Sequence, residues 1–307
     1  MQKNNNAGPI SSYLLSGYTF LILAVMIWAG NSVVGRLALD ENVPPLALAF
    51  WRWVLALFVF IALAGRQAWG LVPEMRANAG YLVSFSLVSV VGYNCTFFIA
   101  LQKTTALQAT LIQSILPVLV LLLGLLIVKT PVTMRQWLGV FFSISGSLII
   151  LIRGEFAVLQ ALEIREGDWW ALAGVFVWAI QSFMIRWKPE SIPILPFMTI
   201  LVVIGLAVLT PLYIWETLTY KPMPVSKNSL LMVAYAGIIA SVGGTTMWNE
   251  GTWRVGAAQA GYFGNLYPIF AGALAIIILG ENPQWYHGVG ALLVVIGIWL
   301  AIFDKRN

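Results

Sequence analysis

The hydrophobic positions of the chain fall into ten long apolar runs, separated by short groups of charged residues, prolines and glycines. The runs cover about residues 17–39, 45–65, 80–101, 105–129, 134–152, 168–187, 194–215, 229–250, 256–279 and 284–303. Each is close to the roughly 20 residues that an α-helix needs to cross the hydrocarbon core of a bilayer. Transmembrane β-strands alternate apolar and polar residues, and these continuous runs do not. The pattern predicts an all-α polytopic membrane protein with ten transmembrane helices.

The composition agrees with this interpretation and excludes a soluble enzyme. Apolar residues make up 60% of the 307 residues and charged residues 9%, whereas soluble domains carry about 25% charged residues. Most of the 17 basic residues stand singly near the ends of apolar runs, which indicates lipid head groups of the bilayer, and not nucleic acid, as their partners. The only cysteine, Cys95, lies within an apolar run, so we expect no disulfide, no thiolate metal centre and no cofactor.

The second half of the chain repeats the first. A shift of 151 residues aligns 81–152 with 232–303 and places Pro117 on Pro268. The same shift superimposes four further pairs, namely Gly92 on Gly243, Gln108 on Gln259, Gly139 on Gly290 and Gly146 on Gly297. A shift of 150 residues places Trp28 of the first apolar run on Trp178 of the sixth. We therefore predict a first five-helix repeat at 1–152, a connection at 153–167 and a second repeat at 168–307.

A unit with an odd number of spans begins and ends on opposite sides of the membrane, so its copy enters the bilayer upside down. Inverted repeats that surround a central cavity are the architecture of secondary transporters. The first apolar run is too long for a signal peptide and is interpreted as a retained span. Ten basic residues of the connections and termini lie on the side of the N-terminus and six on the other. This excess predicts an inner (plasma) membrane protein with both termini in the cytoplasm.

The two halves resemble the EamA type of the drug/metabolite transporter superfamily. Trp28 and Trp178 lie among small and polar residues in the first helix of each half, and Pro117 and Pro268 lie in the fourth, before a glycine-rich fifth helix. Arg52 matches an arginine that the family carries in the second helix. The resemblance covers roughly 14–303. It implies ten helices in two inverted halves, with helices 1, 3, 4, 6, 8 and 9 around a central cavity.

Polar side chains within the spans are the candidate site residues, because such groups are costly in a bilayer unless they face a cavity or one another. The first and sixth helices each place a tryptophan, an amide and a serine on one face. The predicted substrate-binding set is Trp28, Asn31, Ser32, Arg52, Tyr93, Asn94, Gln113, Trp178, Gln181, Ser182, Trp248, Asn249, Tyr262 and Asn265. These groups suit a solute with apolar and hydrogen-bonding parts. Hydrogen bonding between helices is the alternative role.

Arg52 and the two repeated prolines have their own alternatives. Arg52 either extends to the membrane interface or donates to a substrate carboxylate or to helix carbonyls. Pro117 and Pro268 each remove an intrahelical hydrogen bond at matched positions. We predict that they act as hinges, with a passive kink as the alternative.

Four glycines and one charged pair have structural interpretations. Gly139 and Gly146, with their counterparts Gly290 and Gly297, predict close packing of the fifth and tenth helices, within or between protomers. Glu250 and Arg254 are predicted to pair across one helical turn, as are Arg36 and Asp40.

The spans lack the groups that an enzyme or an ATP-driven pump requires. No Asp or Glu lies near the middle of a predicted span, His287 is the only histidine, and no P-loop sequence occurs.

The motif Trp248-Asn249-x-Gly251 is similar to that of the family branch that exports aromatic and other amphipathic amino acids. We therefore expect a transporter that exports a small-molecule substrate, an amino acid or related amphipathic solute, by alternating access. The alternatives are a flippase for a lipid-linked carrier and, less well supported, a membrane-embedded enzyme. The sequence does not decide between a monomer and a homodimer.

Overall fold

The computed structural model describes residues 17–30, 43–129 and 131–302, and within these ranges the regular structure is helical. The helices long and apolar enough to cross a membrane are α2 (Pro45–Gly70), α3 (Ala79–Lys103), α4 (Ala106–Val128), α5 (Met134–Leu151), α6 (Glu166–Trp187), α7 (Ile194–Thr219), α8 (Lys227–Val255), α9 (Ala257–Ile278) and α10 (Trp285–Ile302). They confirm the all-α multi-span prediction. A further apolar helix, α1, is described over Gly17–Ala29, which is shorter than a bilayer requires. The described residues therefore show nine of the ten predicted spans at full length.

Local sequence signals set several helix ends. Thr133 and Gln136 form a capping box at the start of α5, in which each side chain satisfies the backbone of the other. Ser226 begins α8 by accepting a hydrogen bond from the backbone nitrogen of Ser229 at 3.0 Å. Gly256 separates α8 from α9 with a φ of 89°, a conformation that favours glycine. The two helices therefore form a tight pair without a polar loop.

The packing of α5 on α10 shows how the two halves are oriented. A Cβ atom at Gly139 would lie 2.7 Å from the carbonyl oxygen of Gly297, and one at Gly146 would lie 2.5 Å from that of Gly290. As the position along α5 rises, its partner position along α10 falls, so the helices are antiparallel. They are equivalent helices of the repeats, and the halves are therefore inverted. The predicted glycine packing thus occurs within one chain.

Gly290→Ala is expected to destabilise the protein, whereas Gly288→Ala in the same helix is expected to stabilise it slightly. The new methyl group at position 290 would meet the backbone of Gly146 at 2.7 Å, but nothing lies within 4 Å of the corresponding point at position 288. Overpacking costs about 1–3 kcal/mol, while alanine improves on glycine in a helix by about 0.5–1 kcal/mol. Thermal unfolding in detergent measures both. Equal midpoints for the two variants would contradict this packing.

The halves also interleave at the two membrane faces. We call the face that carries the 153–165 connection the connector face, and the opposite one the terminal face. At the terminal face the start of α1 packs on the end of α8, where a Cβ at Gly251 would lie 2.8 Å from the oxygen of Gly17. At the connector face the start of α6 packs on the end of α3, where a Cβ at Gly167 would lie 2.7 Å from the oxygen of Ala100. Each half therefore contributes its first helix to the other half.

A buried carboxylate joins α2 to α7 at the connector face. Glu216 accepts hydrogen bonds from the backbone nitrogens of Leu46 at 3.1 Å and Ala47 at 2.7 Å. These two N–H groups lie in the first turn of α2, where a helix offers them no acceptor, and at the positive end of the helix dipole. Glu216 therefore acts as an N-cap that is supplied from the opposite half.

Charged side chains lie at the terminal face. Glu250 pairs with Arg254 at 2.7 Å, as predicted, whereas Arg36 and Asp40 lie outside the described residues. Lys188, just beyond α6, donates to the carbonyl of Ile192 at 2.8 Å and lies over the ring of Trp253. Burial lowers the pKa of Lys188, but its hydrogen bonds hold the ammonium group at this face.

Candidate functional site

The repeated prolines mark equivalent interruptions of α4 and α9. The first segment of α4, Ala106–Gln113, ends in a turn before Leu116–Leu123 begins, and α9 passes through a 3₁₀ turn at Gly264–Leu266. Pro117 and Pro268 lie in the first turn of the segments that follow, where the missing N–H lacks an intrahelical partner anyway. Each proline therefore begins a new helical segment within the membrane.

A small central cavity lies between α1, α4, α6 and α9, at the level of these interruptions. Its volume is about 20 Å³, enough for about one water molecule. It is lined by Val25, Trp28, Thr110, Gln113, Ser114, Leu116, Trp178, Gly264, Asn265, Tyr267 and Pro268. Four pairs of these residues are repeat equivalents, namely Trp28 with Trp178, Gln113 with Gly264, Ser114 with Asn265 and Leu116 with Tyr267. The two halves thus contribute matching positions to one cavity.

Three indole rings form one side of this region. Trp28 and Trp178 make an edge-to-face contact at 5.5 Å between ring centroids, and Trp248 lies 5.3 Å from both. Tyr93 packs on Trp178 at 5.4 Å. Trp28 Nε1 donates to the carbonyl of Ala240 at 3.1 Å, whereas the buried Nε1 of Trp248 has no partner among the described residues. The rings present a large apolar surface with few free polar atoms.

Two amides add hydrogen-bonding capacity at the edge of the cavity. Gln113 Nε2 donates to the hydroxyl of Tyr93 at 3.2 Å. Asn265 Nδ2 donates to the hydroxyl of Ser143 on α5 at 2.8 Å. Each amide thus has one bond that fixes its orientation, and its carbonyl oxygen is not used in that bond. The cavity lining therefore combines indole faces with oriented amides.

Several predicted site residues instead bond within or between helices. Asn94 donates to the carbonyl of Val90 at 2.6 Å, four residues earlier in α3. Ser182 makes the same kind of bond to Trp178 at 3.0 Å. Tyr262 donates to the carbonyl of Gln136 at 3.3 Å, which places its ring between α9 and α5. The structure does not bring these three polar groups to the cavity lining.

Gln181 and Asn249 form a second polar group, between α6 and α8. Gln181 Nε2 donates to Asn249 Oδ1 at 3.3 Å, and Asn249 Nδ2 lies 3.3 Å from the sulfur of Met198 on α7. Both amides are buried. This pair joins helices of the second half and does not line the central cavity.

Arg52 lies in α2 and is not among the residues that line the cavity. Its Nε is buried and has no hydrogen-bond partner among the described residues, and its guanidinium lies 5.2 Å from the ring centroid of Trp53. Arg52 lies within electrostatic range of Tyr93, and Tyr93 contacts Trp178 and Gln113. No carboxylate among the described residues pairs with this guanidinium. The other two predicted residues, Asn31 and Ser32, lie outside the described residues.

Several lining residues were absent from the predicted set. They are Val25, Thr110, Ser114, Leu116, Gly264 and Tyr267. The repeat could have identified Ser114, since it is the counterpart of the predicted Asn265. Tyr267 directly precedes the repeated Pro268 and could have been found in the same way. The remaining residues are ordinary in a membrane helix, and the sequence carries no signal for them.

Comparison with known proteins gives one consistent picture. The profile of the EamA-like transporter family matches the chain twice, over residues 15–152 and 165–303. The uncharacterized transporter YyaM of Bacillus subtilis is 27% identical over 260 residues, covering 84% of each chain. A probable amino-acid metabolite efflux pump of Escherichia coli is 24% identical over 305 residues, covering 93% of this chain and 94% of that protein. A solved crystal structure superposes with a TM-score of 0.74 at 17% identity, covering 93% of this chain and 96% of the other, and thus shares its fold.

Proposed function

The chain belongs to the EamA-like transporter family, and on this premise we propose that it exports small amphipathic metabolites, amino acids foremost, by alternating access. It is a multi-pass membrane transporter and, like its relatives, not an enzyme. The observation that carries the proposal is the central cavity, because equivalent residues of two inverted halves meet there. Such a site is where inverted-repeat transporters bind their solutes.

The lining favours a solute with an apolar side group and a few hydrogen-bonding atoms. The indoles of Trp28 and Trp178 offer stacking surface, and the amides of Gln113 and Asn265 offer oriented oxygens for an ammonium group. Arg52, within electrostatic range of Tyr93, supplies a donor fork for a carboxylate. An amino acid with an aromatic or aliphatic side chain carries all three features. The name of the Escherichia coli relative, a probable amino-acid metabolite efflux pump, supports this substrate class.

The size of the cavity supports a mechanism in which the halves change shape. A space of about 20 Å³ does not hold an amino acid, so the solute enters only when helices move apart. The interruptions before Pro117 and Pro268 divide α4 and α9 into short segments that can tilt separately. We assign these prolines as hinges, and 1–152 and 168–307 as the two units that move.

The basic residues at the terminal face support the orientation in the membrane that the sequence predicts. Lys188 and Arg254 lie at the terminal face, and an excess of basic residues marks the cytoplasmic side. We therefore place both termini in the cytoplasm, the connector face outside, and the protein in the cell (inner) membrane. A monomer and a homodimer both accommodate one cavity per chain.

Flux measurements in proteoliposomes test this function directly. A panel of radiolabelled amino acids, with and without a pH gradient, is compared with empty liposomes. We expect L-phenylalanine or L-leucine to move at least about tenfold faster than through empty liposomes, and Trp215→Ala, a lipid-facing change, to leave this flux intact. If no amino acid moves while a lipid-linked carrier changes leaflet, the protein is a flippase and the proposal is wrong.

A further inference from the structure

A larger cavity lies at the connector face, separate from the central one. Its volume is about 350 Å³, and it is lined by Gln108, Leu111, Ile112, Ile115, Leu162, Glu163, Ile164, Asp168, Trp169 and Leu172. These residues belong to the first segment of α4 and the turn that follows it, to the 153–165 connection and to the start of α6. The lining is mostly aliphatic and aromatic, with carboxylate and amide groups at one end. Its size suits the side group of a small solute.

One short helical segment separates the two cavities. Thr110 and Gln113 of the segment Ala106–Gln113 line the central cavity, whereas Leu111 and Ile112 line the larger one. The segment is bounded by Thr104 and Thr105 on one side and by the turn before Leu116 on the other. Breaks at both ends therefore allow this segment to tilt separately from the rest of α4.

Polar contacts hold this segment in its present position. Gln108 Nε2 donates to the carbonyl of Glu163 at 2.7 Å and to Asp168 Oδ2 at 3.2 Å. Asp168 also accepts from Thr104 Oγ1 at 2.5 Å and from the backbone nitrogen of Arg165 at 2.8 Å. The bonds of Gln108 are the ones that would break when the segment tilts, while Asp168 keeps its other partners.

The equivalent place at the terminal face is described only in part, because the counterparts of 162–164, residues 12–14, lie outside the described residues. A shift of 150 residues places Tyr18 on Asp168, and a shift of 151 places Gln108 on Gln259. Tyr18 donates to Gln259 Oε1 at 2.5 Å. Equivalent positions are therefore bonded at both places, and each bond joins one half to the other. Since the halves are inverted, these two contacts lie on opposite faces of the membrane.

Larger side chains occupy the described part of this place at the terminal face. The counterparts of Leu111 and Ile112 are Tyr262 and Phe263, which are 1% and 3% exposed. Phe263 also stacks on Tyr18 at 5.7 Å between ring centroids. The two faces are therefore chemically different, with an open cavity at the connector face and packed aromatic rings at the terminal face.

We propose that the connector-face cavity is a second solute site, a vestibule that holds the apolar side group of the transported amphipathic solute, and that the segment Ala106–Gln113 is the gate between it and the central cavity. This rests on the proposed function. The solute's apolar group lies against Leu111, Ile115 and Leu172, and release of Gln108 from Asp168 opens the way between the sites. The aromatic packing around Tyr18 keeps the other face closed meanwhile.

Thiol labelling tests occupancy with a matched pair. In a Cys95→Ala background, Ile115→Cys and its counterpart Leu266→Cys are treated in proteoliposomes with a membrane-impermeant maleimide, with and without saturating L-phenylalanine. We expect Ile115→Cys to be labelled, with the rate lowered at least about fivefold by L-phenylalanine, and Leu266→Cys to react at least about tenfold more slowly. Equal rates with and without L-phenylalanine, or equal rates at the two positions, overturn the vestibule. Absence of labelling at Ile115→Cys under all conditions, as expected of a position that faces lipid, also overturns the vestibule.

Flux provides the second measurement. Leu172→Trp fills the vestibule and is expected to lower L-phenylalanine flux at least about tenfold, while Ile22→Trp at the equivalent, lipid-exposed position of α1 leaves it unchanged. Normal flux in Leu172→Trp overturns the second site and leaves the transporter itself intact. Absence of flux in the unmodified protein overturns the proposed function instead, so the two failures are distinguishable.

Discussion

Arg52→Leu is expected to lower the flux of carboxylate-bearing solutes on the order of 100-fold and at the same time to make the protein harder to unfold. The buried Nε of Arg52 has no hydrogen-bond partner among the described residues, so the protein carries the cost of one unsatisfied N–H donor within the membrane. Leucine removes that cost, which is worth about 1–3 kcal/mol for a buried unsatisfied group. When a bound carboxylate loses a buried charged partner, its binding free energy weakens by about 2–5 kcal/mol. We therefore expect the flux to fall on the order of 100-fold.

Flux and thermal unfolding of the same variant separate this role from a structural one. A scaffolding arginine would lower the unfolding midpoint when replaced, whereas replacement of a substrate-binding arginine raises the midpoint while flux falls.

The flux of phenylethylamine, which lacks the carboxylate, should fall less than about tenfold in Arg52→Leu. Arg52→Lys should restore only part of the flux, because a single ammonium group does not reproduce the bidentate fork. Arg66→Leu, at an exposed position of the same helix, is the matched control. Unchanged L-phenylalanine flux in Arg52→Leu would rule out this binding role.

Most of the helical framework follows from the sequence, because the span limits depend on long apolar runs. The predicted limits agree with the helices to within a few residues at most ends, although α2 continues from residue 65 to Gly70 and α8 continues to Val255. Inversion of the halves follows from the odd number of spans in the repeat. The glycines at equivalent positions of α5 and α10 then meet in antiparallel order.

Irregular helix geometry could not be predicted in the same way. Widened π-helical turns occur at Leu87–Gly92 in α3 and at Tyr235–Thr245 in α8, and the repeat aligns these two regions. Apolar residues continue through both, so the hydrophobic pattern carries no trace of the extra residue per turn. The prolines indicated the interruptions of α4 and α9, because proline has a distinct backbone effect.

The site was predicted at the level of helices but only in part at the level of faces. Gln181 lies three residues after Trp178, which separates the two side chains by about 60° around the helix. That rotation is enough for Trp178 to line the cavity while Gln181 turns to Asn249. Asn94 is similarly satisfied by its own helix. Sequence spacing identifies a broad polar face, and neighbouring helices decide which part of it meets the solute.

Trp178→Ala is expected to lower amino-acid flux on the order of 100-fold while the protein remains folded. Trp178 contacts Trp28, Trp248 and Tyr93 and lines the central cavity, so its removal takes away the stacking surface for an apolar side group. Loss of a large aromatic side chain costs about 3–5 kcal/mol when the site is packed on all sides. Here the cost to stability should lie at the lower end, because one side of the ring already faces a cavity. Flux and the size-exclusion profile in detergent measure the two effects.

The repeat makes this prediction sharper, because Trp28 is the counterpart of Trp178 and touches it. If both indoles contact the same solute, Trp28→Ala should lower flux to a similar extent, and the double variant should lose less than the product of the two single losses. Ring pairs of this kind are coupled by about 0.5–1.5 kcal/mol, and a double-mutant cycle measures that coupling. Trp248→Phe removes an indole N–H that has no partner among the described residues, so it should retain most of the flux. Independent, fully multiplicative losses for Trp28 and Trp178 would mean that the two halves do not share one binding site.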